Sequence, residues 1–95
     1  MKRYQVRIAP TVRDLIAHLS PGVKSKVKSA LRALAENSDR AKALRDELAG
    51  LRSFRVGRLR VIVRLRDRNV EVVALGHRRD IYERVAVELR RSLDR

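Results

Sequence analysis

Ser53-Phe54-Arg55-Val56-Gly57-Arg58-Leu59-Arg60-Val61-Ile62-Val63-Arg64-Leu65-Arg66-Asp67-Arg68-Asn69-Val70-Glu71-Val72-Val73-Ala74-Leu75 decides the fold. Ser53 to Val56 reads as a short strand with Phe54 and Val56 inward, and Gly57 turns the chain. Leu59, Val61, Val63 and Leu65 then alternate against Arg58, Arg60, Arg64 and Arg66, the period-2 pattern of a strand with one buried face. Asp67-Arg68-Asn69 is a tight turn. Val70 to Leu75 is apolar on both faces apart from Glu71, as a strand covered on both sides would be. Three consecutive strands joined by tight turns make an antiparallel meander.

Upstream, Tyr4, Val6 and Ile8 alternate with Arg3, Gln5 and Arg7, which predicts a half-buried first strand ended by Pro10. Thr11 and Asp14 have the spacing of a capping box, followed by the stripe Val12, Leu15, Ile16 and Leu19. Ser20-Pro21 marks a second helix start, with Ser as N-cap and Pro at the first helical position. Val23, Val27, Ala30, Leu31 and Leu34 carry that helix, and Asn37 is its stop. The two helices, so closely joined, form an antiparallel hairpin. Residues 38–50 read equally as a helical turn or as a loop anchored by Leu44 and Leu48. Downstream, Asp80 and Glu83 suggest a cap, and Ile81, Val85, Ala86, Leu89 and Leu93 carry a C-terminal helix. The expected class is α+β, ordered β-α-α-β-β-β-α in a single domain over residues 1–95. An antiparallel sheet of about four strands carries the helical hairpin on one face and leaves the other face open.

Seven arginines (52, 55, 58, 60, 64, 66 and 68) and no lysine fall between Leu51 and Arg68. Planar guanidinium forks fixed on strands match phosphate geometry better than flexible ammonium groups. The whole chain has 24 Lys and Arg against 11 acids, a net charge of +13. That favours polyanionic partners and a steep salt dependence of binding. Alternation places Ser53, Arg55, Arg60 and Arg64 together on the open face.

The same composition excludes other chemistries. With no cysteine, there are no disulfides, thiolate nucleophiles or thiolate metal sites. His18 lies on the flank of the first helix and reads as structural. Two histidines far apart, with no carboxylate cluster, argue against a metal. No Gly-rich phosphate loop and no Ser-His-Asp arrangement occurs, and no cofactor is expected. No apolar run has the length of a membrane span or an export-signal core, so a cytoplasmic location is expected and no membrane partner.

The element order, together with Arg55-Val56-Gly57-Arg58-Leu59-Arg60-Val61-Ile62 and Leu75-Gly76-His77-Arg78-Arg79-Asp80-Ile81-Tyr82, resembles the RelE/ParE toxin superfamily of type II toxin–antitoxin pairs. Leu44-Arg45-Asp46-Glu47-Leu48-Ala49-Gly50 matches the family's approach to its central strands, and the likeness spans nearly the whole chain. It implies a RelE-like toxin that is a ribosome-dependent mRNA endoribonuclease inhibiting translation. In that chemistry a ribose 2′-OH attacks the adjacent phosphate and expels the 5′-oxygen, which needs a proton acceptor, a proton donor and charge neutralisation. By resemblance, Arg55, Arg60 and Arg78 fall where the family meets the phosphate. Tyr82 falls where it stacks on or orients the base and shares in proton transfer. Arg52, Ser53, Arg58, Arg64, His77 and Arg79 surround them as candidate RNA contacts.

Three positions depart from the family pattern: Ser53 stands where active members carry a cation, Leu59 where an aromatic is common, and Arg58 where an acidic or polar residue is common. They bear on proton transfer more than on RNA binding. The resemblance also leaves two alternatives: a ParE-like toxin that poisons gyrase, and a nucleic-acid-binding module with decayed catalysis. In every case it implies a cognate antitoxin, whose acidic, partly disordered segment folds over the basic face or displaces the C-terminal helix. The nuclease reading adds mRNA and the ribosomal A site as partners.

Overall fold

The computed structural model describes residues 4–77 and 80–93. In chain order its elements are β1 (Gln5–Ile8), α1 (Pro10–Ala17), α2 (Pro21–Glu36), β2 (Lys42–Ala43), β3 (Leu51–Val56), β4 (Leu59–Arg66), β5 (Asn69–His77) and α3 (Asp80–Leu93). Single 3-10 turns at Ser38–Arg40 and Asp46–Leu48 flank β2. The α+β class, the helical hairpin and the three-strand meander follow the sequence pattern.

The sheet differs from expectation in strand number and direction. It has five strands in the order β1-β5-β4-β3-β2, and β1 runs parallel to β5 while the other pairs are antiparallel. Alternation reports which residues of a strand are buried and says nothing of its partner or direction, so this pairing is not legible locally. β2 comes from the ambiguous connector. Its two residues pair with Arg52 and Ser53, and Leu44 donates a further backbone bond to Leu51 at 2.9 Å.

The meander turns follow their residues. Asp67 and Arg68 both have positive φ (48° and 66°), the type I′ geometry whose twist suits a two-residue hairpin. Across Gly57-Arg58 only Gly57 is positive, at 60°, as a type II′ turn requires. A bulge interrupts β4 and β5: Ile62 opposes Ala74 and Val63 opposes Val72, so Val73 is the extra residue. Both Val73 and Ala74 then pack on the α3 side of the sheet.

On one face α1 and α2 bury Val12, Ile16, Val27, Leu31 and Leu34 against Val56, Val61, Val63, Val70, Val72 and Leu75. Each such aliphatic contributes about 1.5–3 kcal/mol by leaving water. Helix starts differ in detail from the sequence reading. Pro10 begins α1 as its first helical residue, and Ala9 is the N-cap, so Thr11 caps nothing. Ser20 occupies the N-cap of α2 without a side-chain bond, while Asn37 ends it as expected. Leu15, placed in the α1 stripe, is 48% exposed. Asp80 and Glu83 are already inside the first turn of α3, where their charge suits the helix N-terminus. The α3 cap position falls outside the described residues.

The second face is not open. α3 lies across it, and Ile81 and Val85 close a second buried cluster with Leu51 and Ile62, flanked by Leu44, Leu48, Val73, Ala74, Tyr82 and Leu89. The stripe of Ile81, Val85 and Leu89 needed an apolar surface, and the hairpin already occupied the other one. What remains uncovered on this face is the end nearest the β3–β4 turn.

Candidate nucleic-acid interface

The turn at Gly57 folds β3 back on β4 so that Arg55 and Arg60 are direct cross-strand partners. Both side chains leave the sheet on the α3 side, beyond the helix. Two like charges placed opposite each other on a sheet weaken the pairing, by roughly 0.2–1 kcal/mol. No carboxylate relieves this: among the described residues neither Arg55 nor Arg60 has an acidic partner within 4.0 Å. The Nε–H of Arg60 is buried and has no hydrogen-bond partner. A buried donor left unpaired costs about 1–3 kcal/mol. An anion at the ends of the two guanidinium groups would relieve the repulsion between them.

Arg55, Gly57, Arg58, Arg60 and His77 line one depression of about 280 Å³. Arg58 comes from the turn, and His77 is brought in by β5, where it opposes Leu59. A second depression shares Arg55 and Arg60 and extends the charge to Arg40 and Lys42, over Ser53, Phe54 and the α2 residues Ala30, Ala33 and Leu34. The sequence reading missed Arg40 and Lys42. They lie in the connector, and only the pairing of β2 with β3 carries them to the site, so nothing but their charge marked them. The result is a continuous cationic track around one end of the sheet.

Other candidates lie elsewhere. Arg52 is committed to the connector: its Nη1 donates to the Ala41 carbonyl at 3.3 Å and lies 3.8 Å from Asp39. Arg64 gives its Nε–H to Glu71 at 3.2 Å, four residues along β4 from Arg60 and so about 13 Å away. Ser53, expected on an open face, is 2% exposed beneath α3, and its hydroxyl lies 3.1 Å from the Tyr82 hydroxyl. Tyr82 is half-buried and packs its ring on the α3 cluster. Arg78 and Arg79 fall outside the described residues. His18 caps the end of α1, its Nδ1 2.7 Å from the Asp14 carbonyl oxygen.

Chemically, the depression is dominated by cationic donors and holds no carboxylate. Guanidinium groups at Arg55, Arg58 and Arg60 suit phosphate oxygens, and an imidazole at its rim is a group able to take and give a proton. Among the described residues no group of three or more His, Cys, Asp or Glu stands ready to hold a metal. No helix among them is long and apolar enough to cross a membrane.

A family model described as the ParE toxin of type II toxin–antitoxin systems (parDE) matches residues 3–82. The chain belongs to this family, within the RelE/ParE superfamily, and is the toxin of a type II toxin–antitoxin system, as its motifs implied. It is similar to a chain of the RelBE2 toxin–antitoxin complex of Mycobacterium tuberculosis, with 33% identity and a TM-score of 0.73 over 82% of this chain and 94% of that one. A chain of the YoeB–YefM complex of Staphylococcus aureus shares the fold, with a TM-score of 0.67 at 14% identity, covering 80% of this chain and 98% of that one. No curated protein sequence matches.

Proposed function

We infer that this toxin is an endoribonuclease that cuts mRNA at the ribosome. The observation that carries this reading is the Arg55–Arg60 pair, opposed across two strands with no carboxylate within 4.0 Å among the described residues. A gyrase-binding surface has no need of such a pair, whereas an RNA phosphate satisfies it. In this reading Arg55 and Arg60 hold the scissile phosphate, joined by Arg78. The ribose 2′-oxygen attacks phosphorus, the bond to the 5′-oxygen breaks, and the products are a 2′,3′-cyclic phosphate and a 5′-hydroxyl. The 2′-OH proton leaves to a base and the departing oxygen takes one up. His77, at the rim of the depression, is better placed for this exchange than Tyr82, whose hydroxyl is engaged by Ser53. Negative charge growing on the phosphate is met by guanidinium groups already in place, so little reorganisation is needed in the transition state.

The partners follow. Both similar structures come from toxin–antitoxin complexes, which supports a cognate antitoxin for this chain. A net charge of +13 suits an acidic antitoxin segment that lies over the same track. A second reading, a toxin that poisons gyrase, is favoured by the ParE family match and by Ser53 standing where a cation would serve RNA cleavage. Cell-free translation with primer extension on the mRNA separates the two. Cuts that require ribosomes support the nuclease. Intact mRNA, together with trapped gyrase–DNA complexes, overturns it in favour of the second reading.

A further inference from the structure

Gly76 lies directly opposite Arg60 on β5, so Arg55, Arg60 and Gly76 form one row across three strands. A Cβ at Gly76 would collide with the Arg84 guanidinium, and it would press within 3.1 Å of the Ile81 side chain. None of the other described glycines has any atom within 4 Å of such a Cβ. The glycine is therefore where α3 lays an arginine flat on the sheet, one strand spacing, about 4.8 Å, from the Arg60 position. Arg84 has carboxylates nearby on its own helix at Asp80 and Glu88, one turn either side. Yet neither comes within 4.0 Å of it, and Glu88 pairs with Arg91 instead, at 3.9 Å. Arg84 shares a depression with Asp80, Glu83 and Glu88 but forms no ion pair with them, so its guanidinium is free to meet another anion.

We propose that Arg84 is a further phosphate-binding residue of this toxin, extending the Arg55–Arg60 row with a third guanidinium that Gly76 makes room for. The proposal rests on the phosphate-site reading above. Arg60 and Arg84 approach the RNA backbone from different elements, a strand and a helix. Gly76 leaves the space that the end of the Arg84 side chain occupies. α3 thereby contributes a cation to the site as well as covering the sheet.

The test uses the full chain and a ten-nucleotide 2′-O-methyl oligoribonucleotide, which lacks the attacking hydroxyl and so reports binding alone. Affinity is measured across a salt series for the unaltered protein, Arg84→Gln, Arg84→Lys, Gly76→Ala and the Arg84→Gln/Gly76→Ala double variant. Arg84→Gln is expected to weaken binding about tenfold, the scale of one charge-assisted bond. It should also flatten the slope of log K against log salt by about 0.7. Gly76→Ala, which displaces only the flexible end of Arg84, should lose less than Arg84→Gln, the double variant should be no worse than Arg84→Gln alone, and Arg84→Lys should recover part of the loss. If Arg84→Gln binds with unaltered affinity and slope while the parent protein shows a steep slope, Arg84 is not a phosphate ligand and the phosphate site stands without it. If Arg84→Gln loses thermal stability but keeps its affinity per folded molecule, Arg84 only clamps α3 and the proposal is overturned. A parent protein whose affinity ignores salt overturns the phosphate site and Arg84 together.

Discussion

Ser53 Oγ and Tyr82 Oη lie 3.1 Å apart beneath the first turn of α3, joining the middle of β3 to the helix that covers it. Two residues marked by the sequence for RNA contact are thus turned toward each other. The serine is buried, and the tyrosine hydroxyl is the polar group within reach of it. The bond fixes where α3 begins, and so where the covered part of the sheet gives way to the cationic end.

Tyr82→Phe should therefore cost stability by orphaning the serine hydroxyl, by about 1–3 kcal/mol. Ser53→Ala in the same background should recover much of that loss, because neither partner is then left unpaired. Tyr82→Ala should cost more, about 2 kcal/mol or above, since it also empties part of the α3 cluster. Denaturant unfolding of these three variants and the parent protein measures these differences. A Tyr82→Ala protein with unchanged stability and no RNA cleavage would instead return the tyrosine to the substrate site.

Ser53→Lys supplies the cation that active relatives of the resemblance carry there. At 2% exposure the new side chain displaces the Tyr82 bond and can reach water only through the depression already lined by Arg40, Lys42, Arg55 and Arg60. Burying the new ammonium unpaired is costly, so the variant should melt well below the parent protein and gain no RNA affinity. A stable Ser53→Lys protein that binds RNA more tightly would show that α3 yields readily, and would argue against a fixed cover.

Period-2 alternation in β4 and helical spacing in α2 made the meander and the hairpin legible, because both depend on which residues need burial. The same alternation correctly put Ser53, Arg55, Arg60 and Arg64 on one face. It did not reveal that α3 covers Ser53, since the helical hairpin needs only one face of the sheet and the other was expected to be open. The stripe of Ile81, Val85 and Leu89 was visible, but its docking partner was not. Arg64 and Arg52 were grouped with the site by charge. Their neutralisation by Glu71 and Asp39 depends on register and on the fold of the connector, which no local pattern encodes. Arg40 and Lys42 were overlooked for the same reason, in the opposite sense.

RNA affinity should fall steeply with salt. With about 4–6 phosphate contacts on a single strand, log K against log salt should have a slope of roughly −3 to −4. Substituting Arg40 and Lys42 together by Gln should reduce that slope by about 1.4, whereas Arg64→Gln should leave it nearly unchanged, because Arg64 already has its carboxylate. Fluorescence anisotropy with a labelled oligoribonucleotide measures all three proteins. Equal effects from Arg64 and from the connector pair would mean that the cationic track is drawn in the wrong place.

Arg60, held opposite Arg55, is expected to meet charge that grows on the scissile phosphate. Single-turnover cleavage of mRNA on programmed ribosomes, with ribosome affinity measured in parallel, tests it most directly on Arg60→Ala. The expected result is a fall in cleavage rate of about 10²–10³, the usual cost of one lost transition-state donor, with ribosome affinity changed only a few-fold. Cleavage by Arg60→Ala at the parent rate would contradict the account.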